Sequence, residues 1–462
     1  MRTIWSTTLG ALLVLGSAGC NDFLSNDEVT GNPNLPTAAT RDALFVGFQA
    51  GQFGLQQAGL AHIACQWTQQ CYATQRFSFT RATYDIIDTD YNADWAQIYG
   101  GGGLKEMREV QVSATQDNEI VYRGIAKVWE ALTIGTATSL WGDIPYSQAG
   151  PDNPTPVFDD QMAIYDALQV LLDGAIADLS SGIVQTGAGA NDLVYGGDAA
   201  LWLGAAHTLK ARFYMHTAEV RGVPAYQAAL AAAALGISSP LNNFTTFHSQ
   251  TGGEQNFWWQ FDALSGFGAD IVAGKFLVDL MVARNDPRLP EYFADADPET
   301  PEPEYIGAAQ SDPATPPAIS RLQGTRSDPA FRQPLVTWEE NQLIQAEANF
   351  VLNGAAAAQP FVDAVRANIG LPSVPVTSLA TVMEEKYIAL FQNIEVFNDY
   401  KRTCYPPITP VPHAIFSGVV PGRIFYAQNE TNVNPNAPSV SQQLGTNGFR
   451  NDNDPAPCPP VP

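Results

Sequence analysis

Apolar residues recur at three- and four-residue steps through most of this chain, and that spacing constrains the fold more than any other feature. Ile120, Val121, Ile125, Val128, Trp129 and Leu132 fall on one helical face, as do Ile164, Tyr165, Leu168, Leu171, Leu172, Ile176 and Leu179. The same period predicts helices from about Arg41 and near 199–221, 225–235, 272–283, 338–353 and 381–400, whereas strand-like runs are few and short. Between them lie stretches rich in Pro, Gly and Asn at 150–156, 238–268, 294–334 and 406–462. Loops this long in a compact protein are either functional or disordered. The expected body is one all-α domain over 41–462 with loop insertions near 238–268 and 294–334. Helix pairs joined by turns suggest a repeat scaffold, although no tetratricopeptide consensus and no fixed period is legible.

The N-terminus obeys a different rule. Arg2 precedes an apolar stretch through Leu9, Ala11, Leu12, Leu13, Val14 and Leu15, followed by Gly16, Ser17, Ala18 and Gly19 ahead of Cys20. Small residues before a free thiol are what lipid-processing enzymes require, so residues 1–19 read as a secretory signal and Cys20 as the lipidated first residue of the mature chain. Ser17 departs from the Leu common at that site. The apolar run is shorter than the roughly 20 residues that span a bilayer. Residues 21–40 carry turn signals without periodic apolar positions and read as a tether.

In an exported chain the four remaining cysteines, Cys65, Cys71, Cys404 and Cys458, favour two disulfides. Proximity in sequence suggests Cys65–Cys71 and Cys404–Cys458, with two other connectivities open. The chain has 23 Lys+Arg against 47 Asp+Glu, a net charge of -24. Such a surface repels nucleic acid and anionic headgroups, so membrane attachment falls to the acyl chains.

Enzymatic and cofactor motifs are missing from the pattern. The mature chain has no Gly-x-Ser-x-Gly elbow, no His-Glu-x-x-His and no histidine in a metal-ligand spacing, so no cofactor or metal is expected. Gly100 to Gly103 lack the Lys-Ser/Thr ending of a phosphate cradle and read as a break between helices. Trp95, Trp129 and Trp202 lie on helical patterns and belong to the core.

Binding chemistry is better represented. Sugar rings present apolar C–H faces and a rim of hydroxyls, so a glycan site combines exposed flat aromatics with amide, carboxylate or guanidinium groups. Two loop segments offer that mixture: Trp67, Gln69 and Tyr72 with Arg76, and Asn256 with Trp258 and Trp259. Adjacent tryptophans do not easily share one apolar face, which points one of the second pair outward. The competing reading is that these aromatics plug the loops onto the helices.

Several segments together resemble the SusD/RagB family of outer-membrane nutrient-binding lipoproteins. Asn21-Asp22-Phe23-Leu24, with Asn32-Pro33-Asn34 and Pro36-Thr37, is similar to its opening. Ser139-Leu140-Trp141-Gly142-Asp143-Ile144-Pro145-Tyr146-Ser147-Gln148-Ala149 resembles its most specific turn, and Gly197-Asp198-Ala199-Ala200-Leu201-Trp202 through Leu209-Lys210-Ala211-Arg212-Phe213 a second motif. Asn285-Asp286-Pro287-Arg288-Leu289, Gln345-Ala346-Glu347-Ala348, Glu385-Lys386-Tyr387, Glu395 and Tyr400-Lys401-Arg402 follow in the family's order. The resemblance implies tetratricopeptide-like helix pairs forming a superhelical scaffold, with the long loops gathered into a ligand face. It also implies an outer-membrane lipoprotein facing the cell exterior, acting as a hinged lid over a SusC-like TonB-dependent transporter and capturing glycans or other oligomers. A lipid-anchored glycan hydrolase and a helical-repeat scaffold for protein interaction are the alternatives.

Overall fold

The computed structural model describes residues 39–182, 188–264, 266–310, 318–322, 324–416, 418–445, 448–454 and 457–458. The signal segment, Cys20 and residues 21–38 of the tether lie outside the described residues. Helices of seven residues or more begin with α1 (Arg41–Gln57) and α2 (Gly59–Trp67), followed by strand β1 (Cys71–Ala73) and α3 (Arg76–Ala82). Then come α4 (Asn92–Tyr99), α5 (Leu104–Gln116), α6 (Ile120–Trp141), α7 (Gln161–Leu179), α8 (Ala199–His216) and α9 (Val223–Ala233). Strands β2 (Phe244–Thr245) and β3 (Ile271–Ala273) precede α10 (Lys275–Ala283) and β4 (Pro334–Val336). The chain continues as α11 (Trp338–Asn353), α12 (Ala355–Asn368), α13 (Leu379–Ala389) and α14 (Glu395–Thr403).

Local chemistry sets these boundaries. The side chains of Thr40, Asp160, Asp198 and Thr337 accept N–H bonds at the starts of α1, α7, α8 and α11, satisfying donors that have no partner within the helix. Nineteen of the 22 residues of α6 are buried, so this helix is apolar nearly all round and runs through the interior. From it the helices stack outward in order: α1 on α5, α5 on α6, α6 on α7, α7 on α8, α8 on α9, α9 on α11, and α11 on both α12 and α13. This is the layered arrangement of helix pairs expected for the fold, and one hydrophobic cluster reaches from Phe45 to Cys458. No helix among the described residues is long and apolar enough to cross a membrane.

The Trp141–Ala149 segment acts as a helix stop. Gly142 takes φ 82°, a left-handed conformation suited to glycine, and ends α6. The Asp143 carboxylate then accepts the Gln161 N–H at 2.9 Å at the start of α7. The glycine run breaks α4 from α5 as expected. Gly101 and Gly102 have φ of 63° and 98°, and a Cβ on Gly102 would lie 3.0 Å from the Gly47 carbonyl of α1. The Gly102 and Gly103 amides donate to Glu106 Oε2 at 3.2 and 3.1 Å, so the chain's own carboxylate fills this helix start.

Three local expectations change. Ile271–Ala273 is a strand where a helix was expected from Val272, because β-branched residues pair here with β1. The 381–400 pattern splits into α13 and α14, with Gln392 at φ 62° between them. Helix α12 follows α11 across Gly354 alone and was not foreseen, its Ala-rich start offering little periodic contrast.

A charged layer lies between α8, α11, α13 and α14. Arg212 pairs with Glu340 at 2.5 Å, Arg402 with Glu347 at 2.6 Å and Asp399 at 2.8 Å, Lys386 with Asp399 at 2.9 Å, and His216 with Glu395 at 2.8 Å. All of these side chains are buried. Burial raises the Glu395 carboxyl, but His216 and Arg212 outweigh it and hold the group below the ordinary carboxylate value. The Glu-Lys and Lys-Arg motifs of the sequence are therefore the internal ion pairs of the helix stack.

Candidate functional site

Two disulfides form, Cys65–Cys71 and Cys404–Cys458. The first closes the turn after α2 and leads into β1, whose residues Cys71, Tyr72 and Ala73 pair antiparallel with Ala273, Val272 and Ile271 of β3. This small sheet joins the first segment singled out for binding to the stretch that follows the second. The turn is also fixed from behind: Gln70 Nε2 donates to the Tyr387 carbonyl at 2.7 Å, and Tyr387 Oη donates to the Thr68 carbonyl at 3.0 Å.

Beyond β1, Arg76 opens α3. Its guanidinium donates to both carboxylate oxygens of buried Asp270, at 2.7 and 2.5 Å, and lies 4.5 Å above the Phe267 ring. On the other segment, Asn256 starts a short helical turn, Phe257–Trp259, by accepting the Trp258 and Trp259 N–H groups at 2.9 and 3.1 Å. A π-helical turn, Gln260–Leu264, continues it. Such wide turns are uncommon and recur at functional sites.

The result is an aromatic cluster at the surface. Phe261 and Phe267 stack with centroids 5.8 Å apart, and Phe77 meets them edge-on at 6.4 and 5.7 Å. Phe77 and Phe79 are 40% and 42% exposed, large values for phenylalanine in a packed protein, and Trp259 is half-buried. Arg81 lies 5.3 Å over the Phe77 ring, and Arg321 pairs with Asp262 at 2.7 Å. Flat apolar faces bordered by guanidiniums and carboxylates can stack on a ligand's apolar face and hydrogen-bond its edge.

Of the expected residues, Arg76 is tied to this surface by its contact with Phe267, and the others range from half-buried to fully buried. Arg76 is exposed, and Gln69 and Trp259 are half-buried, with Gln69 Nε2 donating to the Thr409 carbonyl at 2.8 Å. The placement of Trp67 on a ligand face is corrected: it is 1% exposed, donates Nε1 to the Arg81 carbonyl at 2.9 Å, and packs edge-on against Tyr84 and Phe397. Trp258 is corrected likewise, being 2% exposed with its ring 4.3 Å from His62. Asn256 is fully buried and committed to its cap, and Tyr72 is buried with Val272 and Ala308. Trp67, Trp258 and Asn256 fasten their loops onto the helices, whereas Tyr72 packs within the small sheet and its neighbouring loop.

His62 sits behind the cluster, its ring also 4.6 Å from Phe261. Burial, with Arg81 adding to it, lowers this imidazole to about 3, so it is neutral at ordinary pH and packs as an aromatic. Phe77, Phe79, Phe261 and Phe267 were missed by sequence reasoning. Two phenylalanines directly after Arg76, one residue apart at the start of a seven-residue helix, were the available signal.

Two other features compete for attention. A cavity of about 590 Å³ runs along α5 between Tyr99, Leu104, Arg108, Val112, Gln116 and Pro151, and none of the seven expected residues lines it. Asp143, Asp160 and Asp452 bring carboxylate oxygens within 4.8 Å of one another. Two of them already serve α7, Asp143 accepting from Gln161 N and Asp160 from Ala163 N, both at 2.9 Å.

Residues 33–427 match the SusD-like family described as "Starch-binding associating with outer membrane". No curated protein matches the chain. Among solved structures, a chitin-binding protein superposes with a TM-score of 0.75 at 22% identity, covering 90% of this chain and 100% of its own. A chitin-binding SusD homolog from Flavobacterium johnsoniae gives 0.72 at 21% identity, covering 89% and 98%. A SusD/RagB family protein from Bacteroides thetaiotaomicron gives 0.71 at 20% identity, covering 86% and 95%. At these identities the structural likeness speaks for the fold, while the family pattern spans most of the chain, and the chain belongs to the SusD-like family.

Proposed function

We propose that this chain is a surface-exposed lipoprotein that captures a glycan or other oligomer on the Phe77–Phe261–Phe267 face and passes it to a transporter. The observation that carries the reading is convergence: segments 194 residues apart at Arg76 and Asp270 join into one exposed aromatic surface with polar edges. The family description and two chitin-binding relatives of the same fold support a polysaccharide as ligand. Stacking and hydrogen bonding at this face require no bond cleavage.

In this reading the acyl chains on Cys20 hold the protein at the outer membrane, facing the cell exterior. Residues 21–40 act as tether, and the body closes as a lid over a SusC-like TonB-dependent partner. Trp259, Arg76 and Gln69 contribute from the originally expected set, with Phe77 and Phe79 added.

Isothermal titration of the soluble Cys20→Ala chain against soluble starch and N-acetylglucosamine oligomers tests the binding. Phe77→Ala and Trp259→Ala should each weaken binding by about 2- to 10-fold, the range of one aromatic contact. Binding by the wild type that neither variant weakens would move the site off this face, the α5 groove being the next place to look. Co-purification from membranes with a TonB-dependent transporter tests the lid role, and recovery without one sinks it.

A further inference from the structure

Of the cations at the edge of the proposed binding face, Arg81 lies against the Phe77 ring and donates to the Asp90 carbonyl at 3.0 Å, while three others are matched by carboxylates. Arg76 is held by Asp270 through two short bonds, and Asp270 also accepts from Gln75 Nε2 at 2.9 Å. Arg321 is held by Asp262 at 2.7 Å, and Lys275, directly after β3, by Asp279 at 2.7 Å. An anionic ligand gains from a guanidinium only by displacing the carboxylate already there.

The surrounding charge works in the same direction. The segment from Ala294 to Tyr305 carries Asp295, Asp297, Glu299, Glu302 and Glu304 and no Lys or Arg. Both of its ends are fixed beside the face: Ala294 N donates to the Arg321 carbonyl at 2.9 Å, and Ala308 N, just beyond, donates to the Ala273 carbonyl of β3 at 3.1 Å. With a net charge of -24 behind it, this acidic run gives an approaching polyanion a repulsive field.

Resting on the binding reading above, we infer that the face selects an uncharged oligomer, and that Asp262 and Asp270 are specificity residues that neutralise Arg321 and Arg76. The ligand class is a neutral polysaccharide; uronic-acid, carboxymethylated and sulfated chains are rejected. Affinity then comes from stacking and neutral hydrogen bonds, which salt screens little.

The test uses probes that share a backbone and differ in charge: soluble starch against carboxymethyl starch, titrated into the Cys20→Ala chain. The wild type should favour the neutral member by at least about tenfold, with its affinity flat from about 0.05 to about 0.5 M NaCl. Asp262→Asn should narrow the neutral-to-anionic ratio by about 2- to 5-fold, the size of one partly exposed charge pair. Asp270→Asn should narrow it further. Because Asp270 is buried and its substitution also perturbs the fold, the partly exposed Asp262 decides the matter. Equal or tighter binding of carboxymethyl starch by the wild type overturns the inference. So does a ratio that neither variant changes. If the wild type binds neither these probes nor N-acetylglucosamine oligomers, the binding reading itself falls, a result distinct from binding without charge selection.

Discussion

The charged layer between α8, α11, α13 and α14 and the aromatic face beside β1 and β3 use similar residue types under opposite access to water. Arginine–carboxylate pairs and large rings occur in both. In the layer every ion pair is buried, so each group depends on its partner, since a lone buried charge is far costlier than a paired one. At the face, Asp270 is buried while Arg76 reaches solvent, and Phe77 keeps an uncovered side. The same chemistry is structural where water is excluded and available to a ligand where it is not.

Arg402→Met should break this comparison most severely, since it leaves Glu347 and Asp399 buried without their shared cation. A loss of about 3–5 kcal/mol is expected from urea unfolding. A loss below about 1 kcal/mol would show the layer to be far more hydrated than its burial implies.

Next in size is a contrast within the loops. Trp67→Ala should cost about 3–5 kcal/mol through the cavity it opens. Phe77→Ala should stay within about 0.5 kcal/mol, as for other surface changes, while reducing affinity. Equal destabilisation by the two would erase the distinction between foundation and face.

Acid sharpens the contrast from another side. The folded Glu347 and Glu395 carboxyls are held below their ordinary value of 4.5, so their stabilisation is present above that value and is lost as pH falls through the folded pKa. The urea midpoint should therefore fall below about pH 4.5, and fall less steeply in Glu395→Gln.

The smallest effect has the opposite sign. Burial raises the Asp94 carboxyl to about 6 against the pull of Arg81. Its ionised form therefore disfavours the folded state above the ordinary value of 3.8. Asp94→Asn should raise the urea midpoint at pH 7, with the gain shrinking through pH 6 and vanishing below about 3.8. A gain that persists at pH 3 would rule out the charge as its cause.

The two regions also differ in how far they were legible in the sequence. Helices such as α6 and α7 carry their own period, and the family-like residues from Glu395 to Arg402 form buried ion pairs. The face depends on β1 meeting β3, a non-local pairing of three-residue strands that no window of sequence displays. The loop aromatics expected at the face were the tryptophans of two segments and Tyr72, whereas phenylalanines form the exposed cluster. Trp67 Nε1 is satisfied by the Arg81 carbonyl inside the protein, which suits it to the foundation. Of the adjacent tryptophans, Trp258 turns inward and Trp259 remains half-buried.

The β1–β3 pairing also sets an order of assembly. The Cys65–Cys71 ring spans six residues and can close as soon as that stretch is exported, long before Cys458 reaches Cys404 across 54. The surface beside it must wait for residues 271–273 to arrive. A growing chain thus carries Arg76 for nearly two hundred residues before Asp270 arrives to hold it, as counted by their separation of 194. Any fragment ending before Phe261 contains the ring and Phe77 but not the two phenylalanines that Phe77 meets, and so no completed face.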